Sequence, residues 1–337
     1  MRVLVVNAGS TSLKLAVVDQ DGTTETVASL AEAPADVAAV GHRIVHGGVH
    51  FREPVLLDGD VEAELESLIE LAPLHNAPAL DAVRTVRQAL PDVPHVAVFD
   101  TAFHATLPEE AYTYPLPLRL RDERGIRRYG FHGLSVEWAA SQVRASRLVV
   151  CHLGGGCSVT AVLDGRSVDT SMGFTPLDGV SMASRSGAID PGIVLHLLRS
   201  GTSIDDVERL LEHESGLLGV SGVSEDVLEL ESSDLPEAKL ALALLARGVA
   251  KWVGGAATVL GGLDALVFTA GIGEHSARVR ADVCARLGAF GVELDEEANA
   301  TATPDADIQT RNSRVRVAVV HAREELVIAQ AVRALVS

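Results

Sequence analysis

The chain has 337 residues, 47% hydrophobic and 22% charged, with a formal net charge of -18. That length exceeds what one ordinary core accommodates and points to two domains, while the composition excludes a disordered chain. The acidic balance argues against nucleic acid or an anionic membrane surface as the main partner, so an anionic substrate would need basic side chains gathered at its site.

The chain enters a strand at once, without a basic leader or cleavage pattern, and a cytoplasmic location is expected. VLVVNAGSTSLKLAVVD, Val3 to Asp19, reads as strand, polar turn, strand. An ordinary hairpin needs two turn residues such as Asn-Gly. This one gathers Asn7, Gly9, Ser10, Thr11 and Ser12 and places Lys14, one of three lysines among 28 basic residues, in the second strand. Small hydroxyls, a glycine and a cation are the parts of an anion cradle, and a decorated hairpin is the plainer alternative. Val61 to Leu71 and Ala79 to Leu90 have the helical period, and HVAVFD is a buried strand ending on Asp100.

RLVVCHLGGGCSVTAVLD, from Arg147, repeats the first hairpin at an offset of 145, with Gly154 on Gly9, Ala161 on Ala16 and Asp164 on Asp19. Two related domains facing one another across a cleft are therefore expected. Ile193 to Leu198 and Asp205 to Leu211 read as helices. Leu240 to Leu263 is apolar but carries Arg247 and Lys251 at its centre, which suits a buried core helix rather than a membrane span. DALVFTAGIGEHS reads as a strand running into a glycine turn, followed by a helix from Ser276 to Leu287. The C-terminal stretch reads as a strand, a short turn and a closing helix with Glu324 and Glu325 near its first turn. Strands followed by helices make an α/β protein. Cys151, Cys157 and Cys284 lack metal-ligand spacing and suit reduced thiols.

Four turns follow apolar strands: Asn7 to Ser12, His152 to Gly156, Gly271 to His275 and Ala322 to Glu324. Ligands of α/β folds gather at such strand ends, yet neither a P-loop nor a convincing G-x-G-x-x-G occurs. Cations come from GHRIVHGG (Arg43), APLHN (His75), RRYGFHG (Arg127, Arg128, His132) and the polar loop around Arg185. Cations without a catalytic Ser-His pair suit charge stabilisation of a transferring phosphoryl group. Any one of them taken alone reads more readily as a surface ion pair or a satisfied core histidine. His46 and His50 lack the Glu of a zinc H-E-x-x-H motif.

NAGSTSLK, GHRIVHGG, APLHN, VFDTAFH, RRYGFHG, DTSMGFTPLDG, SRSGAIDPG, GVSED, FTAGIGEH and REELVIA run from residue 7 to 328 and together resemble the acetate kinase family. The resemblance implies a duplicated actin-like (ribonuclease H-like) two-domain α/β fold with an interdomain cleft. Residues 1–133 with 321–337 would form the acetate and terminal-phosphate side, and residues 134–320 the nucleotide side and a homodimer interface. It implies transfer of a phosphoryl group between ATP and acetate, giving ADP and acetyl phosphate, with Mg²⁺ or Mn²⁺. No nucleic acid or membrane partner is implied.

On this resemblance Asn7 and Glu324 hold or orient the metal, and Ser10, Ser12 and Lys14 meet the terminal phosphate. Arg43 holds the acetate carboxylate, and Val45, Leu74, Phe131 and Pro176 line the methyl pocket. His132 and Arg185 stabilise the transferring group, with His75 nearby, and Asp100 occupies the place of an essential carboxylate. His152, Leu153, Gly154, Gly155 and Gly156, then Asp226, Val227 and Leu228, then Gly271, Ile272, Gly273, Glu274 and His275 hold ATP. Acetate is already ionised at neutral pH, since carboxyl pKa values lie near ~4. Asp100 is therefore expected to orient cations or metal-bound water rather than to take a proton.

Three departures from the family pattern stand out, and all three touch the nucleotide side. Gly155 stands where HLGNG has asparagine, His275 ends what is usually GIGEN, and Val227 and Leu228 follow Asp226 where an aromatic or aliphatic residue and then an arginine are common. The segment from Asp19 to Gly41 is also short. Alternatives are a propionate or other short-acyl kinase, since one methylene is worth only ~1–3 kcal/mol, a pyrophosphate-type donor, and a silent nucleotide- or acyl-phosphate-binding sensor.

Overall fold

The computed structural model describes residues 1–8, 13–69 and 72–337, apart from the side chains of residues 73–75. Two compact units emerge. One comprises Met1–Ala105, Pro115–Trp138 and Arg323–Ser337, and the other Thr106–Tyr114 and Ala139–Ala322.

The first unit is built on a six-stranded sheet. Val3–Ala8 (β1), Leu13–Val18 (β2), Thr24–Val27 (β3), Ala39–Ile44 (β4), Val55–Leu56 (β5) and His95–Phe99 (β6) lie in the order β3-β2-β1-β4-β6-β5. β4 runs parallel to β1 and β6, and the remaining pairs are antiparallel. Alternation along β4 sends Val40 and Ile44 into a core with Leu80, Val83 and Val86 of the helix Pro73–Ala89. Gly41 instead meets the helix Glu324–Val336, where a Cβ would lie 2.5 Å from the Ile328 side chain. A sheet covered on both faces requires the unbroken apolar strands seen in the sequence.

The second unit repeats this plan. Arg147–Leu153 (β7), Cys157–Leu163 (β8), Arg166–Thr170 (β9), Ala265–Thr269 (β10), Ala306–Asp307 (β11) and Arg316–Val319 (β12) lie in the order β11-β12-β10-β7-β8-β9. Read from its other edge, this is the first sheet again, strand for strand and sense for sense. The fold is thus a duplicated α/β architecture of two mixed sheets. The helix Pro236–Val259 is long and apolar enough to cross a membrane by length and composition, but half of its most apolar window is buried, and Ala238, Leu242, Leu245, Val249 and Val253 form its inner face.

Three expectations need correction. Gly271 to His275 is not a turn but the short helix Ala270–His275, which precedes Ala277–Cys284. The offset of 145 also slips within the hairpins: Ala8 pairs with Leu13, whereas Leu153 pairs with Cys157, so the second connection is one residue shorter. Lys14 faces Asn7, and the residue facing His152 is the buried Ser158 rather than Val159. The helix read at Val61 to Leu71 is found as Gly59–Ser67, with residues 70 and 71 outside the described set.

Candidate active site

In the first unit the carboxyl ends of β1, β4 and β6 bring Asn7, Arg43 and Asp100 together, because the parallel register sets Ile44 beside Phe99. Arg43 donates through Nε and Nη2 to both oxygens of Asp100, with the Nε bond at 2.8 Å, and through Nη1 to the Asn7 side-chain oxygen at 3.1 Å. Glu324, the first residue of its helix, lies 3.7 Å from the same guanidinium. Burial alone would lower the Arg43 pKa, but Asp100 and Glu324 outweigh it and the group is held more firmly protonated than usual. Asp100 is 1% exposed, so its charge depends on this bidentate partner.

Asp100 is positioned through its own backbone. Its carbonyl accepts from Gly133 N–H at 2.9 Å, and a Cβ at residue 133 would overlap that carbonyl oxygen, so the close approach requires glycine. The preceding His132 has φ of 59°, a left-handed conformation that is strained for a non-glycine residue. Such strain clusters at ligand sites. Beneath lies an aromatic layer in which the His46 ring meets Tyr129 at 4.4 Å and Phe131 at 5.4 Å edge-on. Asn76 locks to it, accepting from His46 N–H and donating to its carbonyl, which joins the GHRIVHGG and APLHN motifs. Val45 and Phe131 are both buried. The side chains of Leu74 and His75, and Ser10 and Ser12, lie outside the described residues. Lys14 is exposed.

In the second unit Arg185 is held by Glu212 at 3.2 Å, and the Pro176 carbonyl accepts from it at 3.5 Å. Glu212 escaped the sequence reading because DDVERLLEHE looks like a solvated helix face. Tyr114 stays the neighbouring loop by accepting from Phe174 N–H at 2.9 Å. Residues 154–156 close the β7–β8 hairpin. Leu153 is buried, His152 nearly so, and a Cβ at Gly155 would meet open space. Asp226 caps the helix Val227–Ser232, accepting from the N–H groups of Leu228 and Glu229, with Val227 buried and Leu228 exposed. Ala270 shares the left-handed φ, at 65°. Gly271, Ile272 and His275 remain accessible, Gly273 is buried, and the Glu274 carboxylate turns inward to His321 and Ala322. The side chains of Leu153, Val227 and Glu274 are therefore unavailable to a ligand as placed here, and those positions offer backbone or indirect support. Among the described residues no cluster of three or more His, Cys, Asp or Glu is set to hold a metal. The oxygen donors around Arg43 comprise two carboxylates and one amide.

A duplicated pair of mixed sheets with an arginine–carboxylate cluster at the strand ends of the first defines a duplicated α/β protein whose site suits an anionic ligand. A profile of the Acetokinase family matches residues 28–330, and the chain belongs to that family. Among curated relatives, the acetate kinase of Synechococcus sp. (strain JA-2-3B'a(2-13)) is 48% identical over 314 residues, covering 90% of this chain and 78% of the relative. Among solved structures, a propionate kinase from Francisella tularensis subsp. tularensis SCHU S4 matches with TM-score 0.93 at 34% identity, covering 99% of each chain. Porphyromonas gingivalis acetate kinase matches with TM-score 0.88 at 32% identity, covering 100% of each.

Proposed function

We propose that the chain catalyses reversible phosphoryl transfer between ATP and acetate, giving ADP and acetyl phosphate. The observation that carries this reading is the guanidinium of Arg43, oriented by Asp100 and Asn7 at the strand ends. It suits an incoming carboxylate because guanidinium and carboxylate pair in two parallel bonds. An acetate oxygen attacks the terminal phosphorus in line, the bond from that phosphorus to the bridging oxygen breaks, and its electron pair leaves with ADP. No proton moves, so Asp100 serves to orient Arg43. Arg185 and His132 neutralise charge on the equatorial oxygens, and Lys14 with the first hairpin meets the terminal phosphate.

Asn7 and Glu324 carry oxygen donors of the kind Mg²⁺ takes and would hold or orient it, directly or through water. Mg²⁺ when bound supplies neutralising charge to the phosphate oxygens. The first unit would carry acetate and the second the nucleotide, held by residues 152–156, 226–228 and 271–275. Exposed Ile193, Leu195 and Leu198 on the helix Pro191–Arg199 support a homodimer through the second unit, and three unpaired buried cysteines fit a cytoplasmic protein.

Propionate is the second reading, favoured by the likeness to the Francisella propionate kinase. Incubation with Mg²⁺, ATP and either acid, trapping acyl phosphate with hydroxylamine, tests both. Acetyl hydroxamate in excess supports the first reading, propionyl hydroxamate in excess the second, and product with neither acid refutes both.

A further inference from the structure

The short helix Ala270–His275 is fastened to the point where the chain leaves the second unit. Glu274, with a side chain 4% exposed, accepts from Ala322 N–H at 2.9 Å and meets His321 Nδ1 at 2.6 Å. Ala322 is the last residue of that unit before the chain enters the first at Arg323. Glu324, the carboxylate facing Arg43, stands two residues beyond the bonded amide.

The other side of the helix has a fixed support. The buried Arg280 donates to the carbonyls of Gly273 and Glu274 at 2.9 and 2.8 Å and to the Asn299 side chain at 2.8 Å. Asp305 holds the His321 N–H at 2.8 Å. A carboxylate this deeply buried is costly unless its oxygens are hydrogen-bonded, and here the amide and imidazole of the crossing satisfy them. The helix and the crossing are thereby linked by one side chain.

We propose that Glu274 is a positioning residue that couples the nucleotide side to the first unit: nucleotide held at residues 271–275 sets, through Glu274, the path of His321 and Ala322 and so the placement of Glu324. This coupling rests on the reading of residues 271–275 as nucleotide-binding. Glu274 acts through the crossing and does not touch substrate.

Trp138 reports on the crossing, because the Arg323 guanidinium lies over its ring at 5.7 Å. Trp252 is the other tryptophan, so Trp252→Phe leaves Trp138 as the sole indole. In that background, Mg-ADP is titrated while Trp138 emission is followed, and binding is measured separately by calorimetry. With Glu274 intact, nucleotide should change the emission. Glu274→Ala should abolish most of that change and lower kcat about tenfold, with nucleotide affinity held within about threefold. Glu274→Gln keeps the size and the amide contact but removes the carboxylate charge that faces His321, and it should show the same loss in part if the alanine variant does not fold. An unchanged emission response in the variants with nucleotide bound overturns the coupling alone. Absence of Mg-ADP binding by calorimetry in the parent overturns the nucleotide reading together with it.

Discussion

Glu212 lies 3.2 Å from the Arg185 guanidinium, with side chains 16% and 23% exposed. An arginine on a polar loop is thus held in one orientation before substrate arrives, which is what a preorganised transition-state donor requires. Arg185→Ala should lower kcat by at least ~10²-fold. Glu212→Gln should lower it about tenfold with nucleotide affinity little changed, since it frees the guanidinium without removing it. Steady-state kinetics with melting curves check this. A Glu212→Gln enzyme with full kcat and reduced stability would make the pair structural.

Arg43 and Asp100 form a partly buried pair whose members depend on each other. Arg43→Ala should raise the KM for acetate far more than that for ATP, because a charge-assisted carboxylate contact is removed. It should also destabilise the protein, by removing the bidentate partner of the buried Asp100 carboxylate. Adding Asp100→Asn should restore much of that stability while activity stays lost, and urea unfolding of the two single variants and the double variant measures the coupling.

Acid should weaken the fold through buried imidazoles. Burial pushes His42 down to about 3, with His95 and Arg87 adding to the effect, and burial pushes His104 down to about 4. These rings stay neutral in the folded chain but take protons near the ordinary 6.5 once unfolded. The unfolded state therefore binds more protons below pH 6.5. Their contribution is complete above that pH and is lost as pH falls toward the folded values, by about 1 kcal/mol per ring at pH 5.5. Urea midpoints at pH 7.5 and 5.5 should differ accordingly, and His104→Gln should flatten the dependence. An equally steep profile in that variant would assign the effect elsewhere.

Gly155 has open space where a Cβ would stand. Gly155→Asn should therefore fold without loss of stability and add a side-chain donor to the β7–β8 turn. One added hydrogen bond is worth about 1 kcal/mol, so ADP should bind about fivefold more tightly. Calorimetry on the two proteins decides it, and unchanged affinity would remove this turn from the nucleotide site.

The strands and long helices were legible because their periods and glycine punctuation are local properties. The duplication was legible for the same reason, since each copy opens on its own hairpin. Its one-residue slip was not, because pairing depends on the turn and not on the spacing of identical letters. GIGEH misled the reading: glycines usually mark turns, but Arg280, several residues downstream, binds the carbonyls of Gly273 and Glu274 and supports a helix there. Glu212 and Glu274 were illegible as positioning groups because their partners lie far along the chain. Asp100 and Arg43 stood out in the sequence, but their bidentate union needed the parallel register of β4 and β6 to become visible.

The helix Glu324–Val336 covers β1, β2, β4 and β6 and brings Glu324 to Arg43, although the strands it covers precede it by more than two hundred residues. During synthesis the second sheet can close as soon as β12 emerges, while the first, begun long before, stays half-covered until the chain has been made past Val336. Translation thus orders assembly in reverse: the half started first is finished last. A nascent chain stalled short of that helix would expose the inner face of Gly41 and its neighbours, a natural target for a holding chaperone.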